Sequence, residues 1–366
     1  MMGAGGFCAT KSYNTATDGM SKRLVDIKVN PKWKYKAKYY KYAREYVEFR
    51  TNQGSVVVPY DMDELYDKWK RPGQRHQLDE VATDGATYLP KIVVCKQFGK
   101  EEALGKIGPK RSITPQPNQL KIGFGTFGLP YSKRMADLMP CYTSGYHPKD
   151  LCEKISCIAA DAMYSPLNTV TCVDQSKFDA HWNHFLRYEI NLPCMLGSFG
   201  THYHGVLYEL WLRDCIYTVI DDEGNRFICI CQMGSGSTIT SGGNSDASAF
   251  ISYCSFRELG KTPMQAWNST MKKTLCLGDD LVIFQNKTDI ILRVCKDLQL
   301  ETKLEHEGLA NKPFPYLGRW WIPETTSSIC DVTRQLSKLH AAPIKLIGKP
   351  YTALYNKIIG LYVTDK

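Results

Sequence analysis

Three short segments hold residues whose types and spacing could do chemistry together. The first is Gly278-Asp279-Asp280, set in Thr274-Leu275-Cys276-Leu277-Gly278-Asp279-Asp280-Leu281-Val282-Ile283-Phe284. Apolar runs around a glycine and two carboxylates read as strand, tight turn, strand. Such a turn lifts at least one carboxylate clear of the sheet, where its oxygens could hold a divalent cation. The second is Asp174-Gln175-Ser176-Lys177-Phe178-Asp179, with a carboxylate at the end of the strand candidate Val170–Val173 and another five residues on. A carboxylate at one strand end and a pair on a neighbouring turn could converge on two cations, the arrangement in-line phosphoryl transfer requires. The third runs from Ser235 to Asn244, with three glycines and five hydroxyl side chains ahead of a helix. Each has a plainer reading: an exposed hairpin, a solvated strand end, a connecting loop. Order and spacing separate the readings. The chain spells Asp-x-x-x-x-Asp, then Ser-Gly-x-x-x-Thr-x-x-x-Asn, then Gly-Asp-Asp.

The elements that must position these residues read as an α+β core from Asp161 onward. Phe178–Leu192 reads as a helix, Arg226–Gln232 as a strand and Asn244–Gly260 as a helix. After the hairpin come a helix over Asp289–Leu298 and strands over Leu300–Leu304 and Tyr316–Ile322. No repeat or Pro/Ser-rich linker divides the chain, so a single continuous domain is the simplest organisation. Gly123-Phe124-Gly125-Thr126-Phe127-Gly128 has the spelling of a dinucleotide loop. With Pro130 close behind and no parallel βαβ pattern around it, it reads as a turn-rich loop.

Composition narrows the classes. At 366 residues with 43% hydrophobic and 23% charged, the chain is ordinary globular material rather than disordered. No apolar run reaches the roughly 18 residues of a membrane helix. Met1–Phe7 lacks a signal-peptide stretch and fails the myristoylation pattern at Phe7, so unaided membrane insertion is not expected. The net charge of +9 is uneven, with ten Lys and Arg between Ser21 and Arg50 interleaved with Trp33, Tyr35, Tyr39, Tyr40 and Tyr42. That mixture suits single-stranded nucleic acid, and equally a basic face whose rings pack inward. The fourteen cysteines lack any Cys-x-x-Cys pair, which favours reduced thiols. His202-x-His204 has no partner pair for zinc.

The three spellings in this order resemble motifs A, B and C of RNA-dependent RNA polymerases of positive-strand RNA viruses, in particular the tombusvirus-like group. Asp174-Gln175-Ser176-Lys177-Phe178-Asp179-Ala180-His181, followed by Tyr188-Glu189, looks like that group's motif A, and Ser235–Asn244 matches motif B without a gap. Lys100-Glu101-Glu102 and Arg111-Ser112-Ile113-Thr114-Pro115 resemble motif F. The likeness covers roughly residues 95 to 320. Pro315-Tyr316-Leu317-Gly318-Arg319-Trp320 looks like motif E but departs from the Phe-Cys-Gln form of tombusviruses themselves, which points to a more distant member.

The resemblance implies an α+β right-hand polymerase, with fingers over 1–165 and 192–228, palm over 166–191 and 229–321, and a small thumb over 322–366. It implies RNA synthesis from NTPs on an RNA template with Mg²⁺, or Mn²⁺, held by Asp174 and Asp279. Asp280 would be the third metal residue, either a weaker ligand or one placed behind the other two. Lys100, Lys110 and Arg111 would bind the triphosphate, as guanidinium and ammonium groups suit phosphate oxygens. Asp179, Thr240 and Asn244 would recognise the ribose 2′-hydroxyl, and Ser235 and Gly236 would belong to the template and NTP loop. Lys303 would be the motif D general acid, with Lys296 and Lys312 competing. Expected surroundings are template and nascent RNA, NTPs and a membrane-anchored viral replication protein, in replication complexes of the host cytoplasm. A reverse transcriptase shares the palm, but it resembles Tyr-x-Asp-Asp and places a bulky ring where Asp179 stands. An RNA-binding module with a dead site is the other alternative, against which the intact carboxylates argue.

Overall fold

Alternation builds the central sheet. Val170, Cys172, Leu275, Val282 and Phe284 are buried in one hydrophobic cluster, and Val173, Cys276, Leu281 and Ile283 in another on the opposite face. Side chains that switch sides at every residue give a sheet covered on both faces. The computed structural model describes residues 7–8, 27, 29–30, 32–83, 91–100, 103–104, 111–221, 223–333, 335 and 350–364. Helices α1 (Ala37–Thr51), α2 (Asn118–Leu138) and α3 (Pro148–Met163) precede strand β1 (Val170–Gln175). Helix α4 (Thr240–Glu258), strands β2 (Thr274–Leu277) and β3 (Asp280–Phe284), helix α5 (Thr288–Asp297) and strand β4 (Thr302–Gly308) follow. The strand order is β4-β1-β3-β2, antiparallel throughout.

The fold class expected from the sequence, α+β with an antiparallel sheet, is the one observed. Leu151, Ile155 and Ile158 of α3 pack with one face of the sheet, together with Phe314, Tyr316 and Trp321 of a small sheet formed by Phe314–Tyr316, Arg319–Ile322 and Ser327–Cys330. On the other face lies α4, buried continuously from Gly242 to Phe256. A helix buried all round must carry small side chains where strands approach it, and Gly, Ala and Ser supply them. A second three-stranded sheet, Val94–Lys96, Ile216–Ile220 and Arg226–Ile230, stands beside this core, with its first pairing parallel.

Three expected elements differ. Tyr316–Ile322 is not one strand but the turn and second half of a hairpin, in which Phe314–Tyr316 pairs with Arg319–Ile322 across Leu317 and Gly318. Phe178–Leu192 is not one helix: Phe178–His181 stops at Trp182, whose ψ of 134° is extended, and a π-helical segment runs over Leu186–Asn191. The break lets the Trp182 ring sink into the core, and the Asn183 carboxamide then accepts from Leu186 N–H at 3.1 Å. Gly123–Gly128 is not a loop but lies inside α2, with Pro130 in the same helix. Packing overrides propensity here, because a Cβ on Gly128 would sit 3.0 Å from Ile239 Cγ2.

Among the described residues, the rings of the basic N-terminal block divide, with Trp33 and Tyr40 exposed and the others packed inward. Tyr39 and Tyr46 are fully buried, Tyr35 lies 4.7 Å centroid to centroid from Phe185, and Lys36 pairs with Asp297 at 2.7 Å. No disulfide links the described cysteines. The ring of His204 lies 2.9 Å from the Leu196 carbonyl oxygen, which gives it a structural partner. No helix of the described residues is long and apolar enough to cross a membrane.

Candidate active site

The hairpin turn is built on one glycine. Leu277 pairs with Asp280, leaving Gly278-Asp279 as a two-residue loop, and Gly278 takes φ +66°, which glycine adopts without the Cβ penalty. β3 lies against β1 in a register that sets Asp280 opposite Asp174. The loop is tied to the end of β1, where Gln175 N–H donates to the Asp279 carbonyl at 3.3 Å. Asp279 is therefore exposed at the tip, while Asp174 and Asp280 are half-buried in the ladder.

On the other side of β1, Lys303 of β4 is also in register with Asp174, and its Nζ lies 3.3 Å from Glu305 Oε1. Burial pushes the Asp174 carboxyl above its ordinary value; Asp279 and Glu305 add to the rise, and Lys303 and Arg111 oppose it. Asp280 also bears on the buried Cys172 thiol and Tyr316 phenol, raising both. Asp174 and Asp279 share one field.

After Asp174 the chain turns back through Lys177 in the left-handed region, at φ 50°. A non-glycine residue held there is strained, and the strain presents Asp179 towards α4. Asn244 Nδ2 donates to Asp179 Oδ1 at 2.7 Å, and Asn244 Oδ1 accepts from Trp182 Nε1 at 2.7 Å. The indole can only donate, so it fixes which way the amide faces. The amide keeps one further N–H to offer. The Thr240 hydroxyl lies 2.7 Å from the Gly234 carbonyl and 2.9 Å from that of Ser237. Its single proton is spent there, and its lone pairs remain to accept.

Ser235 and Gly236 form the seam between two motifs. Thr114 N–H donates to Ser235 Oγ at 3.0 Å, and Gly236 bridges in parallel with Pro115. A Cβ on Gly236 would stand 2.7 Å from the Thr114 carbonyl oxygen, so the approach admits glycine alone. Lys100 and Arg111 are joined by the backbone, Lys100 N–H donating to the Arg111 carbonyl at 2.7 Å. Lys110, and Lys106 beside it, lie outside the described residues. Of the competing lysines, Lys312 pairs with Glu324 at 2.9 Å and Lys296 is an exposed residue of the last turn of α5.

Lys100, Arg111, Asp174, Asp179, Ser235, Thr240, Asn244, Asp279, Asp280 and Lys303 line one cavity of about 1050 Å³, whereas Gly236, Lys296 and Lys312 are not among its lining residues. The sequence reading missed two contributors: Glu305, which acts on Asp174, and Trp182, which orients Asn244. Trp320, from the segment that resembles motif E, is an exposed ring that lines the cavity. Glu305 stands two residues from Lys303 across a register shift in β4, which hides it from simple alternation.

A hard divalent cation fits this donor set. Like-charged carboxylates are pressed together in a partly buried field, and oxygen is their only ligand atom. Among the described residues, no three His, Cys, Asp or Glu side chains close into a cage. Mg²⁺ does not ask for one, since it keeps several waters and binds through one or two carboxylates plus phosphate oxygens.

No protein-family model matches the chain. The RNA-directed RNA polymerases of Pariacoto virus and Pieris rapae virus are 26% and 25% identical to it over 332 and 368 residues, covering 90% and 98% of this chain. That of Striped jack nervous necrosis virus is 23% identical over 307 residues, or 83% of this chain. The chain spans about a third of the length of these curated relatives, at 33%, 35% and 30% respectively. Among solved structures, an insertion-loop deletion mutant of the RNA-dependent RNA polymerase of a human picobirnavirus aligns with a TM-score of 0.71. Its identity is 15%, over 95% of this chain and 71% of that one. The undeleted polymerase gives a TM-score of 0.68 at 16% identity. Over most of its length this chain is similar in sequence to viral RNA-directed RNA polymerases, and its fold is the right-hand polymerase fold.

Proposed function

We propose that the chain extends an RNA 3′ end on an RNA template, using NTPs and two divalent cations, and so replicates a positive-strand viral genome. The observation that carries this is the convergence of Asp174 and Asp279 with the Asp179–Asn244 pair on one cavity. Asp174 and Asp279 would hold Mg²⁺, or Mn²⁺, with Asp280 buttressing the turn. The cations supply alignment of the 3′-hydroxyl and neutralisation of charge on the attacking and leaving oxygens. Lys100, Lys110 and Arg111 bind the triphosphate. The spare Asn244 N–H and the Thr240 lone pairs receive the ribose 2′-hydroxyl, and a buried polar site of that kind rejects a sugar lacking it. Lys303 protonates the leaving pyrophosphate, which its place beside Asp174 in the ladder favours.

The residues divide into fingers (1–165 and 192–228), palm (166–191 and 229–321) and thumb (322–366). The motif A spelling with Ser176, Phe178, Asp179 and His181 assigns the chain to the tombusvirus-like group. Its partners are template, nascent RNA and a membrane-anchored replication protein of the host-cell replication complex. Primer extension on an RNA template with Mg²⁺, wild type against Asp279→Asn, tests the reading. Extension in the wild type and its loss in the variant are expected; equal activity in both refutes the site, and a preference for dNTPs refutes the RNA polymerase reading.

A further inference from the structure

We propose that Ser245 and Ser248 are positioning residues for the turn that carries Asp279. The inference rests on the polymerase reading of the cavity and adds residues to it. Gly278 lies in the loop of the hairpin, beyond the last strand pair, so its N–H and C=O are not part of the β2–β3 ladder. Both are taken up by α4. Gly278 N–H donates to Ser245 Oγ at 2.8 Å, and Ser248 Oγ donates to the Gly278 carbonyl at 2.8 Å. Ser245 Oγ in turn donates to the Ser241 carbonyl at 2.8 Å, so its proton is committed and a lone pair is left for Gly278.

Both serines are fully buried, where a hydroxyl without a partner is costly. They belong to a stripe on one face of α4: Ser245, Ser248, Ser252 and Ser255 follow each other at intervals of three or four. Ser252 continues the contact along β2, its hydroxyl 2.6 Å from that of Thr274. Ser255 closes locally on the Ile251 carbonyl at 2.8 Å. The helix therefore grips β2 at both ends and fixes how far the turn projects into the cavity.

The geometry joins two functions through neighbouring residues. Asn244, which holds Asp179, precedes Ser245; Asp279 follows Gly278. The serines touch no substrate in this scheme, and they act by holding the backbone from which the carboxylate extends.

The test uses the full chain, with Mn²⁺ binding followed by electron paramagnetic resonance and RNA extension followed under steady state. Ser245→Ala and Ser248→Ala should each weaken Mn²⁺ binding and lower kcat by about fivefold, the scale of one hydrogen bond. The KM for NTP should stay unchanged, and Ser248→Thr, which keeps the hydroxyl, should restore both readouts. A thermal melt identifies a variant that fails to fold, in which case the other serine and the Ser248→Thr pair decide. Wild-type Mn²⁺ affinity and kcat in folded alanine variants, with an active wild type, would overturn the clamp and leave the polymerase reading standing. A wild type that extends no RNA but loses Mn²⁺ affinity on Ser248→Ala would overturn the polymerase reading and keep the clamp.

Discussion

Asn244 and Asp179 are joined by a 2.7 Å hydrogen bond that ties the start of α4 to the short helix Phe178–His181. The bond uses one of the two amide protons and leaves the other for a ligand. Asn244→Ala removes both. The preference for NTP over dNTP should then narrow by about tenfold, the worth of one hydrogen bond in a dry site. Competitive incorporation of ATP against dATP measures it, and an unchanged ratio would remove Asn244 from sugar recognition.

Trp182 sets the face that Asn244 presents, through a 2.7 Å bond from its indole N–H. Trp182→Phe keeps an aromatic ring in the core and deletes that donor. The amide is then free to turn its oxygen to the ribose, where it cannot replace the lost N–H in the same geometry. We expect the NTP preference to fall by about fivefold, with folding stability lowered by roughly 1–3 kcal/mol for the smaller ring and the unsatisfied Asn244 oxygen. A variant that loses stability but keeps its sugar preference would make Trp182 a packing residue only.

Lys303 is exposed, in register with Asp174, and 3.3 Å from Glu305. A positioned general acid contributes about a hundredfold or more to a rate, whereas an exposed side chain contributes about 0.5 kcal/mol or less to stability. Lys303→Met should therefore lower kcat by about a hundredfold at an unchanged thermal midpoint. A wild-type kcat in the variant would return the role to another lysine.

Gly236 approaches backbone, not a movable side chain. A Cβ there would meet the Thr114 oxygen at 2.7 Å and the Pro115 Cα at 2.8 Å. Gly236→Ala should separate the Ser235–Thr114 seam, costing about 1–3 kcal/mol as overpacking does. KM for NTP should rise more than kcat falls, because Lys100 and Arg111 flank the strand pair Phe98–Gly99 and Ser112–Ile113 that leads into Thr114. Denaturant unfolding and NTP titration measure the two effects, and a variant with wild-type values in both would show that the seam is loose.

The metal-side carboxylates are legible in the sequence because a turn between two apolar strands leaves few other places for them. Asp179 and Asn244 are legible through the resemblance of their two segments to motifs A and B, and their contact joins the short helix Phe178–His181 to the start of α4. Trp182 is not, because an indole that orients an amide looks like any other buried ring. Ser245 and Ser248 carry only the faint signal of polar residues at helical intervals in an otherwise buried segment. The glycines of α2 mislead for the opposite reason: local propensity argues for a turn, and the gain from packing close to Ile239 exceeds it. The aromatic residues of α1 face the same ambiguity, and their burial against α4 and Phe185 decides it.

Asp174 gives a prediction with a sign. Its carboxyl lies above the ordinary value of 3.8, first through burial and then through Asp279 and Glu305, with Lys303 and Arg111 opposing. An acid that holds its proton more tightly folded than unfolded costs stability once ionised. The cost is absent below the unfolded value, grows as pH rises through the window between the two values, and is complete above the folded one. Asp174→Asn removes it. Without metal, the variant should melt at a higher temperature than the wild type at pH 7, and the gap should shrink at pH 4. Adding Mg²⁺ should stabilise the wild type and leave the variant nearly unmoved, because a ligand raises the midpoint only of the form that binds it. Melts at both pH values, with and without Mg²⁺, measure all three effects. A lower midpoint for the metal-free variant at pH 7 would mean that the Asp174 carboxylate is stabilised in the fold rather than held there at a cost.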